Sequence, residues 1–187
     1  ELIKMMKTST LINDYPSAFR YPRGGGNLSD VNNNYEIDIG KGYIVLEGNS
    51  VAILNLGTRL DACIDACKIL SDINIHPTIA DARFAKPLDT NLINNLVDNH
   101  QYLLTIEEGS IGGFASHVLN YIHNIRRKKT STVIKNIFFP DRFVDHMKPE
   151  EQYSEINMDT NSIVEKVSSL FDDKIVDIKH FNFKDKN

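Results

Sequence analysis

Val51-Ala52-Ile53-Leu54-Asn55-Leu56-Gly57-Thr58 is the stretch whose reading decides the fold. Apart from Asn55, the run up to Leu56 is apolar. A strand with one wet face alternates between apolar and polar residues, whereas a near-continuous apolar run is expected of a strand covered on both faces in a parallel sheet. Gly57-Thr58 then opens a helix, because Leu60, Cys63, Ile64, Cys67 and Leu70 recur at helical spacing and fall on one face.

The same strand-then-helix pattern repeats on either side. Downstream, Ile75–Ala80 reads as a strand in which Pro77 favours the start or an edge position. Ala85-Lys86-Pro87-Leu88-Asp89 turns into a helix that buries Leu92, Ile93, Leu96 and Val97. Tyr102–Ile106 is a further strand, ending at Glu107-Glu108 and the glycine loop Gly109-Ser110-Ile111-Gly112-Gly113. A long helix follows with Phe114, Val118, Tyr121, Ile122 and Ile125 on one stripe, then a strand at Val133–Phe138 and a last helix from about Ser162. Upstream, Gly42–Leu46 is expected at a sheet edge. Such alternation predicts an α/β fold with a mainly parallel sheet and right-handed crossovers.

The chain of 187 residues has room for one well-cored domain, or one domain and a fragment of another. It opens at Glu1 in a helical pattern reaching Ser9, which reads as a piece of something longer. Residues 24–34 are rich in glycine, asparagine and serine and form the expected linker. The structure of the tail after Phe171 is left open. A net charge of −4 argues against a broad nucleic-acid or anionic-membrane footprint. No apolar run approaches the length of a membrane span, and no segment resembles a signal peptide. Cys63 and Cys67 lie one helical turn apart with no second pair, the pattern of buried reduced thiols.

Candidate sites are few. Arg20 and Arg23, beside Gly24-Gly25-Gly26, are either an anion site or a surface turn with solvated arginines. The glycine loop at 109–113 stands where α/β folds bind ligands, but it is not G-x-G-x-x-G, and Glu107 and Glu108 would repel a phosphate. A tight strand-to-helix turn or packing against a second subunit is the plainer reading. Asp81, Arg83 and Lys86 are expected to form a structural charged cluster. Arg126-Arg127-Lys128-Lys129 reads as a solvated cap on the negative end of a helix. His117 and His123 have no partner pattern, and there is no G-x-S-x-G, H-E-x-x-H or P-loop.

Taken in order, several motifs resemble 1-deoxy-D-xylulose 5-phosphate synthases, of the transketolase superfamily. They are Pro16-Ser17-Ala18-Phe19-Arg20-Tyr21-Pro22-Arg23-Gly24, Ile39-Gly40-Lys41-Gly42, Leu54-Asn55-Leu56-Gly57-Thr58, Ala82-Arg83-Phe84-Ala85-Lys86-Pro87-Leu88-Asp89, Ile106–Phe114 and Pro140-Asp141-Arg142-Phe143-Val144-Asp145-His146. The resemblance runs from residue 1 to about residue 171. It implies a transketolase C-terminal-domain-like three-layer sandwich over residues 35–187. Residues 1–34 would be the end of a pyrimidine-binding domain and its linker.

The resemblance also implies a homodimeric enzyme using thiamine diphosphate and Mg2+. Such an enzyme condenses pyruvate with D-glyceraldehyde 3-phosphate, releases CO2, and feeds isoprenoid, thiamine and pyridoxal phosphate synthesis. By the same token Arg23 would grip the phosphate of glyceraldehyde 3-phosphate, with Arg20 in support. The family's cofactor, metal and catalytic motifs are absent from this sequence and would lie upstream, so the chain alone is expected to be inactive. The alternatives are transketolase, the thiamine component of a 2-oxo-acid dehydrogenase, or a non-catalytic assembly module. The asparagine, isoleucine and lysine bias fits an AT-rich source, hence a plastid or apicoplast-type organelle in a eukaryote; a bacterial member would be cytoplasmic.

Overall fold

The computed structural model describes residues 1–21 and 36–171. A helix, α1 (Leu2–Thr10), precedes the sheet. The sheet's strands are β1 (Tyr43–Leu46), β2 (Ala52–Leu56), β3 (Thr78–Asp81), β4 (Tyr102–Ser110) and β5 (Val133–Phe139). Between and after them run α2 (Leu60–Ser71), α3 (Thr90–Asn99), α4 (Phe114–Asn120), α5 (Pro149–Glu155) and α6 (Thr160–Ser168). The strand order is β1-β3-β2-β4-β5, with only β1 antiparallel to its neighbour. The expected mainly parallel α/β sheet is present, and β1 is an edge.

Period-two alternation along the strands sorts the core into two layers. Val51, Ile53, Ile79, Leu104 and Ile106 face α2 and α6, meeting Cys63, Leu70, Ile163 and Val167. Ala52, Leu54, Ala80 and Leu103 face the other way, against Ile93 and Leu96 of α3 and Phe114 and Val118 of α4. Both faces of β2 are therefore covered, which is why its sequence does not alternate. Each fully buried large aliphatic side chain contributes roughly 1.5–3 kcal/mol, and Ile53, Leu54, Leu103 and Leu104 are all at 0% exposure. The layers give the expected three-layer sandwich.

Three local readings are adjusted, and one helix is added. β3 begins at Thr78, immediately after Pro77, so the proline marks the start of an interior strand and not an edge. β4 does not stop before Glu107 but continues to Ser110, with an irregularity in which Ile106–Ser110 spans the Ile137–Phe139 portion of β5. The long helix changes to a π-helical turn at Tyr121–Ile125, where the Arg126 N–H reaches Tyr121 O. Helix α5 carries no apolar stripe that sequence periodicity would register, and none of its residues is buried.

The two cysteines are free and buried, as anticipated. Burial pushes the Cys63 thiol up to about 12, which keeps it protonated and unreactive.

Asp159 starts α6, its Oδ1 accepting the Ser162 N–H at 2.8 Å. Burial alone would raise this carboxyl, but the hydrogen bonds from Ser162 and Ser154 outweigh it and hold the group below its ordinary value. A carboxyl depressed in the folded state stabilises that state above its unfolded pKa, and the benefit is lost as pH falls through the folded value. Asp159→Ala should cost about 1 kcal/mol at neutral pH. In urea unfolding across pH, the gap to the parent should close progressively below about pH 4.

Candidate functional site

The connection from β2 passes through α2 to β3 on one side, and that from β3 passes through α3 to β4 on the other. The strand order therefore reverses between β2 and β4. In open α/β sheets, ligands bind outside the carboxyl ends of strands at such a point. Here those ends carry Asn55, Gly57, Thr58 and Arg59 from β2 and its turn, and Glu107 and Glu108 from β4.

Glu107 settles what the glycine loop is for. Its side chain turns back into the protein, and the residue is 4% exposed. Oε2 accepts the Phe114 N–H and Oε1 the Ala115 N–H, both at 2.8 Å. These are unpaired donors of the first turn of α4, and a carboxylate there also complements the helix dipole. The glycines make room for it: a Cβ on Gly109 would lie 2.3 Å from Glu107 Oε2, and one on Gly113 would lie 2.5 Å from the same oxygen. The loop is an anion cradle already filled by the protein's own carboxylate. Its exposed tip, Ile111, is 68% accessible.

Glu108 points across the switch point instead. Its Oε1 accepts hydrogen bonds from the Thr58 hydroxyl and from the Tyr153 hydroxyl of α5. Burial, and next the bond to Glu108, raise the Tyr153 phenol above its ordinary value. The Arg59 guanidinium carbon lies 3.3 Å from the centre of the Tyr153 ring. Asn55, fully buried, donates from Nδ2 to Gly57 O at 2.9 Å. Asn55 Oδ1 and Arg59 Nε are buried with no hydrogen-bond partner among the described residues. The crevice is thus braced by its own side chains. A groove of about 420 Å3 opens elsewhere, between β5 and α6, beside Asn136, Phe138, Asn157, Glu165 and Lys166.

The other sequence candidates separate. Arg23 lies outside the described residues, and Arg20 is exposed. Asp81 and Arg83 meet, the Arg83 N–H reaching Asp81 Oδ1 at 2.9 Å, while Lys86 is exposed. His117 and His123 are exposed. The basic cluster is not simply a solvated cap. The Arg126 side chain is 3% exposed and pairs with Asp98 of α3, with a further bond to Asn94 Oδ1 at 2.8 Å. Lys128 also reaches Asp98, at 3.0 Å. Lys128 and then Arg126 hold that carboxyl below its ordinary value.

Sequence reasoning missed Arg59 and Tyr153, because α5 was not anticipated and the two are far apart in the chain. Among the described residues, no group of three or more His, Cys, Asp or Glu could hold a metal ion. No described helix is long and apolar enough to cross a membrane.

Comparison with known proteins gives this site a family. Residues 40–163 match the transketolase C-terminal domain family. The chain is 42% identical over 173 residues to a probable 1-deoxy-D-xylulose-5-phosphate synthase 2, chloroplastic, of Oryza sativa subsp. japonica, a match covering 91% of the chain and 24% of the relative. It is 44% identical over 156 residues to the chloroplastic 1-deoxy-D-xylulose-5-phosphate synthase 1 of Cannabis sativa, covering 82% and 22%. Both relatives carry the name that the ordered motifs pointed to. The chain spans about a quarter of the length of these curated relatives.

Among solved structures, a split-gene transketolase described as an inactive β4 tetramer superimposes with a TM-score of 0.64 at 22% identity, over 73% of this chain and 44% of that one. A transketolase variant of Pichia stipitis gives 0.51 at 15% identity, over 72% and 19%. At these identities the structural likeness speaks for the fold alone.

Replacing Glu107 by alanine would strand two buried N–H groups at the start of α4. Glu107→Ala should cost about 3 kcal/mol in chemical denaturation, the scale of losing a hydrogen-bonded buried charge. Glu107→Gln, which keeps one acceptor oxygen, should lose distinctly less.

Proposed function

Because this chain belongs to the transketolase C-terminal domain family, we propose that it is the C-terminal portion of a thiamine-diphosphate-dependent 1-deoxy-D-xylulose 5-phosphate synthase. The observation that carries the reading is the 42% identity to a protein of that name across 91% of the chain. Residues 1–34 are then the end of the pyrimidine-binding domain with its linker, and residues 35–187 the C-terminal domain. The complete enzyme joins pyruvate to D-glyceraldehyde 3-phosphate with loss of CO2, as a homodimer. It serves isoprenoid, thiamine and pyridoxal phosphate synthesis. In a eukaryote its compartment is a plastid or plastid-like organelle, the setting named for both plant relatives.

Thiamine diphosphate supplies the electron sink that the decarboxylation needs. The described residues of this chain do not fit a metal centre, and the carboxylates best placed to be ligands, Glu107 and Glu108, are committed to the α4 amides and to Thr58 and Tyr153. No step of the reaction is therefore assigned to them, and the cofactor and Mg2+ sites belong to the preceding domains. What this chain contributes chemically is Arg23. A guanidinium presents paired donors that match a phosphate. Holding that end of glyceraldehyde 3-phosphate orients its aldehyde for bond formation at the other end.

In the full-length enzyme, Arg23→Ala should lower kcat/KM for glyceraldehyde 3-phosphate by about 2–3 kcal/mol of transition-state stabilisation. The effect should fall on KM for the acceptor, while KM for pyruvate stays unchanged. An unchanged acceptor KM would remove Arg23 from the site. Release of CO2 from pyruvate that depends on glyceraldehyde 3-phosphate separates this reading from a transketolase. Calorimetry of the isolated chain with thiamine diphosphate and Mg2+ should show no binding; a tight complex would place the cofactor site here after all.

A further inference from the structure

Arg126-Arg127-Lys128-Lys129-Thr130-Ser131-Thr132 is a basic run that the fold uses only in part. It joins the π-helical turn to β5 without helix or strand of its own. That places it at the amino end of the parallel strands, away from the Thr58–Glu108–Tyr153 crevice at their carboxyl end. The Arg126 side chain is structural, 3% exposed and committed to Asn94 and Asp98. Lys128 touches Asp98 but keeps 71% of its side chain accessible. Arg127 and Lys129 are exposed, and neither forms an ion pair among the described residues.

Three hydroxyls follow these four cations, and the structure separates them. Thr132 Oγ1 lies 2.8 Å from Val97 O and 3.1 Å from His100 O, so its proton is spent on the end of α3. Thr130 Oγ1 accepts the Thr132 N–H at 3.0 Å and donates to Thr132 Oγ1 at 2.7 Å. Both threonines are half-buried. Ser131 between them is exposed, and its hydroxyl has no partner among the described residues. Lys128 and Lys129 stand three and two residues before it. A kinase with an acidic substrate groove can read both ammonium groups while this hydroxyl enters its site.

We propose that Ser131 is a phosphorylation site for a base-directed serine/threonine kinase. In the transfer, Ser131 Oγ bonds to the γ-phosphorus of a nucleoside triphosphate and the bond from that phosphorus to the bridging oxygen breaks. The nucleoside diphosphate leaves with that oxygen, and the hydroxyl proton passes to the kinase's base. The phosphoserine carries about −1.5 to −2 charge and three strong acceptor oxygens. Arg127 and Lys129, the cations of the run without a carboxylate partner among the described residues, pair with it and leave Arg126 on Asp98.

The test incubates the full-length enzyme with ATP, Mg2+ and the catalytic subunit of cyclic-AMP-dependent protein kinase, and maps phosphate by tandem mass spectrometry. Within residues 126–132 the phosphate should sit on Ser131 and on neither threonine. Ser131→Ala should abolish labelling of this segment, and Ser131→Thr should restore it at the same position. Lys128→Ala combined with Lys129→Ala should lower kcat/KM of the kinase for this segment about tenfold. In a phosphorus NMR titration, the second ionisation of the phosphoserine should fall below its ordinary value of about 6. It should return toward that value when Arg127→Ala and Lys129→Ala are combined. Phosphate on Thr130 or Thr132, no phosphate in the segment, or labelling indifferent to Lys128 and Lys129 would overturn the site. A phosphoserine that ionises at its ordinary value would overturn the pairing with Arg127 and Lys129.

Discussion

The Glu107 carboxylate on the first amides of α4 is the contact on which the carboxyl end of this sheet depends. A buried carboxylate without partners would be costly, and a buried helix start without acceptors equally so. Placed against each other, each removes the other's penalty. The geometry leaves no room for side chains on Gly109 or Gly113, and so it dictates the glycines of the loop between β4 and α4. A glycine loop standing where α/β folds bind ligands receives the protein's own glutamate, and the tight strand-to-helix turn is the reading that holds.

The neighbouring residue shows how a strand distributes such tasks. Adjacent side chains on a strand point to opposite faces. Glu107 ties β4 to α4, and Glu108 ties it to the β2–α2 turn and to α5 through Thr58 and Tyr153. For this to work β4 must continue past Ile106, and the irregular pairing with β5 accommodates the extra residues. Two adjacent acids thus close the switch point from both sides of the sheet.

The layers were legible because they follow from burial. Runs such as Val51–Leu56 and the spacing of Leu60, Cys63, Cys67 and Leu70 leave few other solutions, and the mainly parallel pairing follows from alternating strands and helices, whereas the strand order does not. The candidate site was legible only in part. Glu107, Glu108 and the glycines stood out, but their roles did not, because a carboxylate facing its own helix and one facing a ligand have the same local sequence. Arg59 over Tyr153, Arg126 on Asp98, and Arg83 on Glu1 are long-range pairs between residues that individually look solvated. Helix α5 escaped because periodicity detects helices that bury a stripe, and α5 buries none.

The motifs that resemble the synthase family resolve, one after another, into joints. Asp89 of the Lys86-Pro87-Leu88-Asp89 stretch caps α3, accepting from Asn91 and Leu92, and also takes the Gly42 N–H and Lys41, which come from the Ile39–Gly42 motif. Asn55 and Thr58 brace the switch point, and Glu107 and Glu108 close it. Arg83 reaches back to α1. Polar side chains spent on helix starts and turns are not free to bind substrate, because their lone pairs and protons are already used.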